Sequence, residues 1–185
     1  MHRSQNLLQK FIQNCRGIAA IEFALILPIL SILVFGAYAI FTTLQTGRDV
    51  DRASAIIADL TSRLSVIDDE TVNTLMDVAE SLIGEPSQDT SYEIVISSIS
   101  NTFDTDGDYD LAIDWSFPNK LGKELEADDL DKFDIPFIPE GETLILVNIQ
   151  LDYGPDVYQE PLGTIPVART STRRPRFVPL VVYEN

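Results

Sequence analysis

The chain has 185 residues, 13 of them basic and 29 acidic, for a formal charge of −16 at neutral pH. That balance excludes a nucleic-acid binder, which needs a basic footprint, and disfavours docking of the body on anionic lipid. The length suits one membrane anchor and one small external domain.

Residues 18–41 form an apolar run whose only charge is Glu22. At about 1.5 Å per residue such a helix is roughly 36 Å long, enough to span the ~30 Å hydrocarbon layer with some tilt. A carboxylate inside it costs about 2.5–3.5 kcal/mol on insertion scales, so Glu22 is a functional candidate that needs a partner. Residues 1–17 hold Arg3, Lys10 and Arg16 and no acid, which predicts a cytoplasmic N-terminus and an exported body. Arg48 and Arg52 follow the run but are accompanied by Asp49 and Asp51. A cleavable secretory peptide fits poorly, because its apolar core is usually about 7–15 residues with the cleavage site beyond it. Pro28 removes a backbone bond inside the helix and predicts a kink near residues 24–28.

A partner for Glu22 arises if the chain is cut after Gly17. Ile18 would then carry a free amino group four residues before Glu22, and residues four apart share a helix face. In a packed assembly the carboxylate could instead reach the amine of an adjacent subunit. The small residues Gly17, Ala19 and Ala20 would admit a peptidase and a close neighbouring helix. An ordinary uncleaved signal anchor, with Glu22 at the headgroup boundary, is the plain alternative.

The segment Gly-Ile-Ala-Ala-Ile-Glu-Phe-Ala-Leu-Ile-Leu-Pro, residues 17–28, resembles the processing junction of type IV pilin-like proteins. More narrowly it is similar to the TadE/TadF-like pseudopilins of the tight-adherence (Flp) pilus. The strong likeness covers residues 16 to about 58, and beyond residue 60 it is thin. The resemblance implies cleavage between Gly17 and Ile18 by a prepilin peptidase, with Glu22, Phe23 and Pro28 serving assembly. It also implies other pilins or pseudopilins and an inner-membrane assembly platform as partners, and a role in adhesion and biofilm formation. The protein would lie in the bacterial inner membrane as a single-pass chain with a periplasmic C-terminal domain. It does not separate the TadE from the TadF type.

The leader would remove three basic residues and no acid, so the mature charge becomes −19, three more negative than the full chain. It would also remove Cys15 and His2, the only cysteine and histidine. That rules out disulfides, thiolate zinc sites and Cys-His or Ser-His nucleophiles in the mature protein. Carboxylate-only or Ser-Lys chemistry stays open, but no catalytic residue is assigned and the expectation is a non-enzyme.

After Phe41 the pattern turns amphipathic. Leu44, Ala53, Ile56, Ile57, Leu60, Leu64 and Ile67 recur at helical spacing, predicting one long helix from about Ile18 to Leu64, with Gly47 a weak point at the membrane exit. Asp69 can cap a second helix over residues 71–83, which Gly84 ends. The period then becomes two. Tyr92, Ile94 and Ile96 mark one strand, and Leu111, Ile113 and Trp115 mark one side of another, joined through a turn at residues 101–108. Residues 118–142 read as a loop with one helical turn. Residues 143–153 read as the strongest and most central strand, while residues 165–173 and 177–183 are expected to close the sheet at edge positions. The organisation is a leader (1–17), a span (18–41), a helical stalk with a second helix (42–84) and a β-rich domain (85–185). The fold class is α+β, a long N-terminal helix packed on a small antiparallel sheet.

Two further groups carry possible chemistry. Asp104, Asp106, Asp108 and Asp110 on a Gly-containing turn suit weak calcium binding, although the spacing departs from the EF-hand loop and a solvated turn explains it as well. Their rival reading of the whole chain is a signal-anchored, calcium-dependent binding module; a tethered hydrolase using paired carboxylates is a third. Asp128, Asp129 and Asp131 read as a solvated face. Arg169, Arg173, Arg174 and Arg176 are expected to satisfy carboxylates within the fold, with an intersubunit contact as the alternative.

Overall fold

A computed structural model describes residues 17–84, 92–103, 109–119, 122–154 and 164–184. The fold is α+β. A long helix, α1 (Ile18–Thr61), leads through a short strand β1 (Val66–Ile67) and helix α2 (Asp69–Ile83) into the strands β2 (Tyr92–Phe103), β3 (Tyr109–Pro118), β4 (Thr143–Tyr153) and β5 (Ile165–Arg173). A last short strand, β6 (Val182–Tyr183), follows. The chain divides after Phe41 into two compact units, each described by itself.

The first unit carries the apolar part of α1. Ile21, Phe23, Leu25, Ile29 and Ile32 are all exposed, and the helix is long and apolar enough to cross a membrane. A water-exposed helix of this composition would be unstable, because nothing repays the exposed apolar area. Pro28 lies inside the helix, which is helical on both sides of it. The Ser31 hydroxyl donates to the Leu27 carbonyl at 2.8 Å.

In the second unit four strands form an antiparallel sheet in the order β3-β2-β4-β5. The central position of β4 follows from its sequence: seven successive residues, Thr143 to Ile149, are buried, so both its faces need cover. On one face Ile94, Ile96, Ile145, Val147 and Ile149 share a core with Val50, Ala53, Ile57 and Ala58 of α1 and Val72, Leu75, Met76 and Ala79 of α2. Of the recurring apolar positions, Ala53, Ile57 and Ile67 lie in this core and Leu64 packs against it, whereas Leu44 and Leu60 are exposed. Each fully buried Ile or Val contributes about 1.5–3 kcal/mol. Under the other face Ile99, Leu144 and Leu146 pack with Ile138 and with Leu130 of the 3₁₀ helix Ala127–Lys132, the single turn expected in the long loop.

Four local expectations are corrected. Helix α1 ends at Thr61 rather than Leu64, because the Ser62 carbonyl accepts the Arg176 N–H at 2.8 Å and i→i+3 bonds tighten the turn at Arg63 and Leu64. The cap of α2 is Asp68, not Asp69. Asp68 has extended backbone and its Oδ1 accepts the Thr71 N–H at 2.8 Å, while the Asp69 carboxylate accepts the Tyr183 hydroxyl at 2.9 Å. Leu111 and Ile113 do not share a face with Trp115. The β2–β3 register slips between Ser98 and Ile99, and Asp114 is the extra residue of the bulge, accepting bonds from the Ser98 and Ser100 hydroxyls. Trp115 therefore joins the helix-side core while Ile113 and Leu111 pack on the opposite side.

The fourth correction concerns residues 177–183, which do not close the main sheet. Only Val182–Tyr183 is extended, and it pairs in parallel with Val66–Ile67. Pro179 brings no N–H to a ladder, but its carbonyl accepts the Thr143 N–H at 3.1 Å. Strand β5 does occupy an edge, and Pro166 sits within it opposite Asp152. Gly141, at φ +78°, fits the turn closed by Glu142 N–H and the Pro139 carbonyl at 3.2 Å, just before β4.

The Trp115 indole N–H donates to the buried Val181 carbonyl at 2.9 Å, and the ring stacks in series with Phe117 and Tyr183. This pins the C-terminal tail across the sheet. Trp115→Phe leaves the carbonyl unsatisfied and the pocket underfilled, so urea unfolding of the full chain in detergent should show a loss of about 1–3 kcal/mol; an unchanged midpoint would refute the anchoring role.

Candidate functional site

Gly17 and Ile18 mark the start of α1. Gly17 is exposed, and among the described residues a Cβ placed on it would meet nothing within 4 Å. Ile18 is the first helical residue, and the first turn contains no acid. After a cut at Gly17 its N–H groups would present the positive end of the helix dipole. Glu22 is one turn further on, exposed, on the same face as Ile18, and Phe23 beside it is also exposed. Pro28 lies a further turn and a half along.

This arrangement has a definite electrostatic consequence. A cut between Gly17 and Ile18 would place an ammonium at a helix end that repels cations. A carboxylate four residues away is the compensating group within reach, and in lipid an unpaired charge of either sign is costly. Neither charge is comfortable alone.

The acidic turn falls mostly outside the described residues, which include Asp110 but not Asp104, Asp106 or Asp108. Asp110 sits in β3, where its Oδ1 accepts the Leu111 N–H at 2.9 Å. Among the described residues no group of three or more potential metal ligands comes together. Of the second acidic group, Asp129 pairs with Lys132, which holds its carboxyl below the ordinary aspartate value; Asp128 and Asp131 are exposed.

The arginine cluster separates into two pairs. Arg176 reaches across from the tail to Asp59 of α1, and Arg174 pairs with Glu142 at 3.4 Å while donating to the Phe137 carbonyl at 2.9 Å. Arg169 and Arg173 each donate instead to the carbonyl of the preceding residue, at 2.8 and 2.9 Å. The internal role expected for the cluster thus holds for Arg174 and Arg176.

Sequence reasoning missed two features. Asn119 extends the β2–β3 pairing with its side chain, accepting from Ile94 N–H and donating to the Tyr92 carbonyl, at 3.2 and 3.1 Å. Gly47 is buried against Arg169, whose Nη2 lies 3.3 Å from where a Cβ would stand. The glycine that looked like a weak point in the helix makes room for a guanidinium, a long-range contact that no local pattern signals.

Comparison with protein-family models, with curated proteins and with solved structures yields no match to this chain.

Asp59 supplies a pH handle. Arg63, donating through Nε at 3.0 Å, together with Arg176 and the more distant Arg173, holds its carboxyl below the ordinary aspartate value against a smaller opposing effect of burial. A lowered native pKa contributes stability that is present above the unfolded value and is lost as pH falls through the native one. The stability difference between the parent and Asp59→Asn should be full near neutral pH and shrink below about pH 4. Thermal melts across that range check it; a gap independent of pH, or one growing in acid, would contradict it.

Proposed function

We propose that this protein is a minor pseudopilin of the TadE/TadF-like type, cut after Gly17 by a prepilin peptidase and acting in assembly of a tight-adherence pilus. One observation carries the reading: an exposed glycine immediately precedes a helix whose apolar run, residues 18–41, holds one carboxylate, Glu22, a single turn in. An uncleaved anchor has no use for an acid inside the apolar run, whereas a new ammonium at Ile18 needs one.

On this reading the inner membrane holds residues 18–41, the basic residues Arg3, Lys10 and Arg16 keep the N-terminus in the cytoplasm, and the sheet domain is periplasmic. Glu22 neutralises the amino terminus of its own chain before assembly and that of a neighbour afterwards. Phe23 and the exposed aliphatic side chains supply the lateral packing between helices, with Ala19 and Ala20 permitting close approach. In an assembled bundle a neighbouring subunit can satisfy the Ala24 carbonyl that Pro28 cannot serve. The partners are other pilins or pseudopilins and the membrane platform that moves them.

Two substitutions separate the steps. Gly17→Leu should abolish the mobility shift caused by co-expressed prepilin peptidase, since the peptidase would lose its small residue. Glu22→Ala should leave that shift intact and lower surface pilus yield at least tenfold, about 1.4 kcal/mol of assembly free energy per subunit. Normal processing of the glycine variant, or full piliation without Glu22, would reject the proposal.

A further inference from the structure

Within the second unit, β5 lies along the first turns of the stalk and leaves a groove of about 330 Å³. Its walls are Leu44, Arg48 and Asp51 on α1 and Ile165, Val167 and Arg169 on β5. Gly47 forms the floor, and its missing side chain is what lets Arg169 lie over the helix. Leu44 is 57% and Ile165 40% exposed, so the groove offers apolar walls as well as charge.

Its charge is unusual for this protein. Acids outnumber bases by 29 to 13, and Arg63, Arg174 and Arg176 all pair with carboxylates. Among the described residues neither Arg48 nor Arg169 has a carboxylate partner. Two guanidiniums without carboxylate partners and one carboxylate, Asp51, therefore line one groove.

Connectivity fixes what the groove meets. Leu44 and Arg48 follow Phe41, the last residue of the apolar run, by three and seven positions on the same helix. Where residues 18–41 fill the hydrocarbon, Leu44 stands roughly 5 Å past its edge at about 1.5 Å per residue, inside a headgroup layer about 5–7 Å deep on each side, and Arg48, roughly 10 Å past it, leans back toward that layer because helical side chains tilt toward the N-terminus.

We infer that this groove binds the headgroup of an aminophospholipid, a phosphoethanolamine, from the leaflet that α1 leaves. Arg48 and Arg169 hold the phosphate oxygens through charge-assisted bonds, with Arg169 held near its place by its bond to the Ala168 carbonyl. Asp51 accepts from the primary ammonium. Leu44 and Ile165 cover the glycerol and the first acyl carbons. A quaternary choline has no N–H to give Asp51, and a glycerol headgroup adds net negative charge to a strongly acidic protein and offers Asp51 only neutral hydroxyl donors. The proposal rests on the membrane span alone and stands or falls independently of cleavage and pilus assembly.

The test reconstitutes the full chain in nanodiscs of equal phosphatidylethanolamine and phosphatidylcholine, and native mass spectrometry identifies the lipid that stays bound on release. The wild type should retain phosphatidylethanolamine about tenfold over its share. Arg48→Gln with Arg169→Gln should abolish retention, Asp51→Asn should keep a bound phospholipid but lose the preference, and Arg174→Gln should change nothing. Retention at the bulk ratio by the wild type overturns the inference without reference to any variant. So does displacement by phosphatidylglycerol in a second mixture, or undiminished retention in the double variant. Alkaline extraction reads the span separately, so loss of membrane association there would count against the anchor rather than the groove.

Discussion

A single carboxylate in a lipid-length apolar helix is the constraint to which the rest of the molecule answers. The cost of burying Glu22, about 2.5–3.5 kcal/mol, would be removed by one substitution to a neutral residue, and nothing in the packing of the described residues requires the acid. The helix begins after an exposed glycine, where a cut would place a positive charge one turn from the unwanted negative one. The two costs offset each other only if the chain is cut between Gly17 and Ile18, and that mutual need is the physical content of the pseudopilin reading.

The second unit is organised around the helix. The stalk gives Val50, Ala53, Ile57 and Ala58 to the same core as the buried face of β4, so the sheet is built onto the continuation of the span. Secondary anchors then tie the chain's end to this core: Trp115 to the Val181 carbonyl, Tyr183 to Asp69, and Arg176 to Asp59. All three connect residues far apart in sequence, and two bring the tail back to the helices. A body held this way transmits force between its helix and its sheet through buried apolar contacts, which lose less to solvent screening than exposed ion pairs do.

Periodicity carried much of the fold and failed where backbone geometry changed. The two helices and the hairpin strands were legible from a period of 3.6 or 2, and the central strand from a continuous apolar run. The alternation of Leu111, Ile113 and Trp115 misled because the Asp114 bulge adds one residue, which a period-two reading cannot anticipate. Residues 177–183 look apolar enough for a strand, yet a proline and a pull toward β1 leave only a two-residue pairing. At the candidate site Gly17, Glu22 and Pro28 were visible because their meaning depends on spacing along one helix. The Gly47–Arg169 contact was invisible because it joins residues 122 positions apart that share no pattern.

The most direct measurement is the intact mass of the protein extracted from the membrane of its native host. The account requires a chain beginning at Ile18, lighter by the first 17 residues and free of cysteine and histidine. A mass that still includes Met1 to Gly17 would leave Glu22 without its ammonium and contradict the central claim.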